Sequence, residues 1–294
     1  MTHNYPEMDK AIIGVSLGGK TLLAGKVKDG EIEKSTSKQI DNRQSEDVII
    51  SEVIQAIEQV FDDEVAGIGI GVPSLVDESR GIVYKAQNIP SWREVHLKEI
   101  LENQFGIKTY VNNDANCFAI GEMYFGGAGE NENIIGLIIG AGVGAGVIFK
   151  GHLHSGMNCG AGEVGAIPYL AHDYEYYLSD SYFEEKYGLS GKVVFNRAKT
   201  KDKIALAILE QYGYHIGDLI KTLMFAYDPG IIILGGSLSS AFPYFEEAMW
   251  EKIRGFQYPH IAEKIKVEVS KQENIAVLGA AALYFDAHNH KLIK

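Results

Sequence analysis

Two glycine turns and one carboxylate carry most of the chemistry legible in this 294-residue chain. The turns are Gly14-Val15-Ser16-Leu17-Gly18-Gly19-Lys20-Thr21 and Gly140-Ala141-Gly142-Val143-Gly144-Ala145-Gly146. Without Cβ atoms, such turns let backbone N–H groups reach an anion. A single Gly-Gly turn reads as a plain hairpin, whereas two at equivalent places of a repeated pattern point to phosphate binding. The carboxylate is Asp114, in Asn112-Asn113-Asp114-Ala115-Asn116, where a strand-like run gives way to a helical one. Taken alone, an Asp at that point is a helix N-cap. The other role open to it is that of a general base.

Two familiar phosphate motifs are formally present and fail on context. Gly14–Thr21 fits the Walker A spacing, and Gly140–Ala145 fits a loose dinucleotide fingerprint. Both motifs need a helix directly afterwards. Thr21–Val27 leads instead to an Asp29-Gly30 hairpin turn, and Val147–Gly151 is another strand and turn.

The elements that must hold these groups follow from hydrophobic period and turn residues. Ala11–Val15, Thr21–Val27 and Glu31–Gln39 are predicted strands. Asp47–Val60 has helical spacing, with Val48, Ile49, Val53, Ile54, Ile57 and Val60 on one side. Val65–Val72 and Lys108–Val111 are further strands, with helices over Leu97–Asn103 and Asp114–Tyr124. The second half restarts the pattern. Strand Ile134–Ile139, a glycine turn over Gly140–Gly146 and strand Val147–Lys150 come first. A helical stretch over Ile204–Ala226, strands Ile231–Leu234 and Ile265–Val269, and a closing helix Val277–Ala287 follow. Each half opens strand, glycine turn, strand, which predicts a duplicated α/β architecture.

At these residues the chain resembles the ROK family (repressors, open reading frames and kinases) of bacterial sugar kinases and regulators. Gly14–Thr21 looks like its first phosphate motif, and Gly140–Gly146 like its second. Asn112–Asn116 looks like its catalytic segment. Asp228-Pro229-Gly230-Ile231-Ile232-Ile233-Leu234-Gly235-Gly236 looks like its adenosine motif. The resemblance implies an actin-like ATPase fold of duplicated ribonuclease H-like domains, with the ligand cleft between them. It places a small domain at 1–113 plus the C-terminal helix 280–294, and a larger one at 114–279. It implies ATP with Mg2+, and a hexose or hexose derivative as the acceptor. Asp114 becomes the catalytic base, and Asn113 a ligand of a sugar hydroxyl. Gln87-Asn88-Ile89-Pro90-Ser91-Trp92 resembles the segment that supplies Asn88 to the sugar, with Trp92 read as core. Gly162-Glu163-Val164-Gly165 places Glu163 on the sugar, and Glu175-Tyr176-Tyr177-Leu178-Ser179 places Glu175 there. ATP and its phosphates fall to Ser16, Gly18, Gly19, Lys20, Gly140, Gly142, Gly144, Gly235 and Gly236.

Three departures from the family pattern matter. Ser16 stands where the family carries an Asp that helps place Mg–ATP, and its Thr-Lys pair is reversed as Lys20-Thr21. Ala166 replaces the family's sugar- and zinc-binding His. The zinc loop of cysteines is absent, the stretch reading Ile167-Pro168-Tyr169-Leu170-Ala171-His172-Asp173-Tyr174, so no structural zinc is expected and His172 alone makes no metal site.

Composition narrows the remaining classes. With 39 acidic against 27 basic residues, the formal net charge is −12, which disfavours a nucleic-acid partner. Cys117 and Cys159 are too few for a disulfide framework or a cysteine zinc cage. No apolar run is long enough to span a bilayer, and the start of the chain lacks the basic and apolar regions of a secretory leader. About a dozen residues precede the first strand, too few for the helix-turn-helix domain of the family's regulators. The expectation is a cytoplasmic, homodimeric, glucokinase-like sugar kinase without nucleic-acid or membrane partners. The alternative is a sugar-sensing pseudokinase or regulator, to which Ser16 and Ala166 point.

Overall fold

The computed structural model describes residues 10–289, so the leader expectation on residues 1–9 lies outside it. The first apolar run forms β1 (Ala11–Leu17), every residue of which is buried except Ser16. Burial on both faces makes it a central strand. The chain returns antiparallel as β2 (Thr21–Lys28) and again as β3 (Glu31–Gln39). The β2–β3 turn places Asp29 and Gly30 at φ 52° and 80°, the left-handed pair that a two-residue hairpin needs. Helix α1 (Glu46–Val60) buries Ile49, Ile50, Val53, Ala56, Ile57 and Val60, so its apolar face is turned slightly from the predicted one, leaving Val48 41% exposed. β4 (Val65–Val72) then pairs parallel with β1.

Three short strands, β5 (Leu75–Asp77), β6 (Ile82–Tyr84) and β7 (Glu94–Val95), make a small sheet that sequence reading did not find. Helix α2 (Leu97–Phe105), β8 (Lys108–Asn113) and α3 (Asp114–Phe125) follow.

The second half opens with β9 (Ile134–Ile139), β10 (Val143–Phe149) and β11 (His152–Leu153). The hairpin strands β12 (Pro168–Tyr169) and β13 (His172–Asp173) lead to α4 (Tyr174–Leu178), α5 (Asp180–Tyr187) and α6 (Gly191–Lys199). The long helix α7 (Lys203–Tyr227) is capped by the Asp202 carboxylate, which accepts the Ala205 N–H at 2.8 Å. The chain ends through β14 (Ile231–Gly235), α8 (Phe242–Arg254), α9 (Pro259–Ala262), β15 (Lys266–Val269) and α10 (Ile275–Asn289).

The two five-stranded sheets have the orders β3-β2-β1-β4-β8 and β11-β10-β9-β14-β15. Each runs third, second, first, fourth, fifth in its own sequence order, so the predicted duplication is present in the strand topology.

The chain divides into two compact units. One comprises residues 10–129, 146–161 and 271–289; the other comprises Glu130–Ala145 and Gly162–Ser270. The division differs from the expected one at 113/114 and 279/280, because α3 and all of α10 belong to the first unit. Glycine explains the packing. A Cβ on Gly279 would stand 1.9 Å from the Cys117 carbonyl oxygen, and one on Gly69 would stand 1.8 Å from the Ala280 oxygen. Bare Cα positions thus let α10 lie directly against α3 and β4. The first unit's core joins α1 to β1 and β4 around Val53, Ile57 and Trp92, the last 1% exposed. In the second unit, α7 and α8 bury Tyr212, Ile216, Phe245 and Met249 with Leu137 and Leu234 of the sheet.

Candidate active site

In the first unit, the β1–β2 turn is a tight hairpin in which the Gly18 N–H donates to the Thr21 carbonyl at 2.8 Å. The strand that leaves it confirms that no Walker A helix follows. Ser16, half-buried, lies in register with Leu23 of β2 and Gly71 of β4, while Lys20 is exposed. Asn88 packs on this turn: a Cβ on Gly19 would come within 2.7 Å of the Asn88 Cβ. The Asn88 carbonyl is held by the Asn42 amide at 2.7 Å. A predicted phosphate turn and a predicted sugar ligand therefore meet inside one unit.

Helix α3 starts where β8 ends, and its cap is Asn113. The Asn113 Oδ1 accepts the N–H groups of Ala115 at 2.8 Å and Asn116 at 3.4 Å, and its Nδ2 donates to the Ser74 carbonyl at 3.1 Å. Asp114 is the first helical residue, with an exposed side chain whose Oδ1 lies 2.8 Å from the Ala115 N–H. The capping role that position alone would give Asp114 is thus filled by its neighbour. Behind them, Asn112 is buried, its Oδ1 accepting the Asn113 N–H and the Asn116 Nδ2, each at 2.8 Å. Sequence reading had given Asn112 no role.

In the second unit, the glycine turn is shorter than predicted. Gly140 donates its N–H to the Gly142 carbonyl at 3.1 Å, and β10 resumes at Val143. Gly144 therefore sits in a strand. No helix follows the turn, which disposes of the dinucleotide motif. Two groups from α4 and α5 are fastened to it. Glu175 Oε2 accepts the Val143 N–H at 3.0 Å, and the Asp180 N–H donates to the Gly140 carbonyl at 2.7 Å.

Glu163 precedes a single 3-10 turn, Val164–Ala166. Its side chain opens to solvent, yet its carboxyl is held above the usual carboxylate range, first by partial burial and then by the charge of Glu175. The two predicted sugar carboxylates thus act on each other within one unit.

At the end of β14, Gly236 has φ 86°, a left-handed conformation in which a Cβ would stand 2.3 Å from the Ile139 carbonyl oxygen. The 3-10 turn Ser237–Ala241 follows. Beside it lies a cavity of about 390 Å³, lined by Asp180, Lys192, Phe195, Lys199, Ser237 and Ser240 among others. Lys199 Nζ stands over the Phe195 ring at 4.1 Å. Helix α6, which supplies half of this wall, was not foreseen; its local signals are Ser190 as N-cap, accepting the Val193 N–H at 3.4 Å, and Arg197 and Lys199 in its last turn.

Trp92 is core, as predicted. Cys117 is buried, its thiol pushed up by desolvation and then by the charges of Asp114 and Glu78. His172 stacks on Tyr176 with centroids 3.9 Å apart. Among the described residues, no three His, Cys, Asp or Glu side chains gather as metal ligands would.

A model of the ROK family matches residues 12–287. The glucokinase of Thermotoga maritima is 28% identical, over 92% of this chain and 96% of its own length. The xylose repressor of Bacillus subtilis is 27% identical, over 75% of this chain and 61% of its own. The structure of a ROK family glucokinase from Streptomyces griseus in complex with glucose and AMPPNP superposes with a TM-score of 0.79 at 24% identity, covering 93% of this chain and 98% of that one. The likeness in structure establishes the actin-like ATPase fold expected from the motifs.

Proposed function

The chain belongs to the ROK family, and from that premise we propose that it is an ATP-dependent kinase of a hexose or hexose derivative. The observation that carries the proposal is the division of labour at α3. Asn113 caps the helix, and Asp114, the first helical residue, presents an exposed carboxylate whose Oδ1 lies 2.8 Å from the Ala115 N–H. In the proposed reaction Asp114 takes the hydroxyl proton as the hydroxyl oxygen bonds to the γ-phosphorus, and the bond to the bridging oxygen of ADP breaks. Asn88, Asn113, Glu163 and Glu175 hold the sugar. Carboxylates and amides suit that task, because their planar oxygens and N–H groups pair with hydroxyls.

The second unit's features fit a nucleotide. A Cβ on Gly140 would fall 2.9 Å from the Oγ of Ser237 on the cavity wall, and Gly236 immediately precedes that serine. Lys192 and Lys199 add positive charge to a wall that the Phe195 ring makes apolar. Gly142, Gly144 and Gly235 complete this proposed nucleotide site, with Ser16, Gly18, Gly19 and Lys20 on the other phosphate turn. Mg2+ would arrive with ATP as part of the substrate. Ser16 offers it a neutral oxygen and no charge. The family resemblance extends the proposal to a cytoplasmic homodimer.

A second reading, a sugar-binding regulator without efficient transfer, is favoured by Ser16 and Ala166 together. A coupled ADP-release assay over a panel of hexoses and amino sugars separates the two. ADP release dependent on one sugar supports the kinase. Sugars that raise the melting temperature without ADP release replace it with the regulator.

A further inference from the structure

Glu175 stands on α4, a helix of five residues. One turn of helix is marginal by itself, so the direction of its side chains depends on what ties it down. Several ties hold it, and one of them runs through a buried histidine of α7. His215, 5% exposed, is surrounded by the rings of Tyr169, Tyr177 and Tyr182, at centroid distances of 5.7, 4.9 and 5.8 Å. Its Nδ1 is 3.1 Å from the Tyr169 hydroxyl, and that hydroxyl donates to Asp218 Oδ2 at 2.9 Å. Because the Tyr169 proton goes to Asp218, Nδ1 must be the donor to Tyr169, which leaves Nε2 as the acceptor. Nε2 faces the Tyr182 hydroxyl at 3.4 Å and the Gln211 amide at 3.3 Å, and Lys186 donates to Tyr182 at 2.7 Å. A neutral imidazole therefore donates to Tyr169 through Nδ1 and accepts at Nε2, where Tyr182 and Gln211 share one lone pair.

From this knot the connection to α4 is short. The Tyr169 ring stacks on Tyr174 at 4.3 Å and 13°, and the Tyr174 hydroxyl reaches the Asp218 carbonyl at 3.2 Å and Thr222 Oγ1 at 2.8 Å. Tyr212 of α7 donates to the Leu178 carbonyl at 2.8 Å and holds the far end of α4. Glu175 follows Tyr174 directly and reaches the Val143 N–H.

We infer that His215 is a positioning residue: through Tyr169 and Tyr174 it fixes the short helix α4 so that the Glu175 carboxylate is aimed at the sugar. The inference rests on the reading of Glu175 as a sugar ligand. Burial, and then the Lys186 charge, lower the His215 pKa to about 4, so the neutral form that the network requires is the one present near neutral pH.

The test measures hexose affinity by calorimetry, AMPPNP affinity, and KM against kcat for wild type, Tyr169→Phe, His215→Phe and His215→Asn. Tyr169→Phe keeps the stacked ring and removes only the bridging hydroxyl, so it remains informative if His215→Phe fails to fold. The expected result is a hexose affinity and KM weakened by about tenfold in Tyr169→Phe and His215→Phe, with kcat and AMPPNP affinity changed by no more than about twofold. His215→Asn, which keeps a donor near the Nδ1 position, recovers most of the loss. Wild-type hexose affinity in Tyr169→Phe overturns the inference while leaving the kinase proposal standing. Parallel loss of hexose and AMPPNP affinity without rescue by Asn overturns it too, as a general collapse of the unit. A wild type that binds none of the sugars removes the kinase reading, and the inference with it.

Discussion

The Glu175 carboxylate accepts the Val143 N–H at 3.0 Å, so a carboxylate proposed for the sugar is fastened to the strand that leaves the second glycine turn. The same carboxylate raises the Glu163 pKa, behind burial as the larger cause. Replacing it by Glu175→Gln removes the charge and keeps an acceptor for Val143. The Glu163 carboxyl then falls part of the way towards its ordinary value, and hexose affinity drops by about tenfold or more. Carboxyl-detected NMR titration of Glu163 in the two proteins reads the shift. An unchanged Glu163 titration breaks the electrostatic link between the pair.

Asp114→Asn lowers turnover by a factor of at least about 100 while sugar affinity is largely kept. Because Asn113 holds the cap, the melting temperature of Asp114→Asn stays near that of wild type. Asn113→Ala, in contrast, costs about 1 kcal/mol through the lost cap alone. Turnover at the wild-type rate in Asp114→Asn removes this carboxylate from the reaction.

Ser16 sits at the end of β1 with no charge to offer a magnesium ion. Ser16→Asp raises turnover or lowers the magnesium concentration needed for half-maximal rate. Steady-state kinetics across a magnesium titration compares the two proteins. A wild type already fast at low magnesium, together with an unaltered Ser16→Asp, shows that another group has taken the role.

The His215 network makes stability depend on pH. The folded-state pKa of about 4 lies below the ordinary value of 6.5, so between these values the unfolded chain binds a proton that the folded one does not. Stability from this group is full above about pH 6.5 and falls by about 3 kcal/mol as the pH drops to about 4. Lys186 and Lys252 act in the same direction by disfavouring the imidazolium, and Asp218 opposes them. Denaturant unfolding of wild type and His215→Asn reads this as a difference in slope over that interval. Parallel curves contradict the neutral-imidazole assignment.

The strands with continuous apolar runs were legible in the sequence at nearly their observed limits, Val65–Val72 and Ile134–Ile139 among them, because burial on both faces writes itself as composition. Helix α7 was legible from its period over many turns. The segment 174–199 was not, because α4, α5 and α6 are short, and the tyrosines of α4 and α5 cluster near His215 and show no regular period. Adjacent Asx residues hid the cap: propensity ranks Asn113 and Asp114 alike, and only backbone geometry selects Asn113. The unit boundaries were hidden because the chain crosses between units at 129/130, 145/146, 161/162 and 270/271, and no linker composition marks these points. The motifs located the glycine turns, but could not tell that the Gly18 and Gly140 N–H groups are used inside them.

The seating of α10 on Gly69 and against α3 has a consequence for how the chain is made. Synthesis delivers β1, β4 and α3 early, yet the helix that covers them comes only from residues 275–289. The second unit is complete once Ser270 has been added. It can therefore close during translation, while the older strands of the first wait with their apolar face open for chaperones or for the last helix. Pairing partners more than 200 residues apart makes that final closure the slow step of folding. Truncating α10 leaves the earlier-made sheet uncovered and prone to aggregate, although the shortened chain still carries every residue proposed here for catalysis and binding.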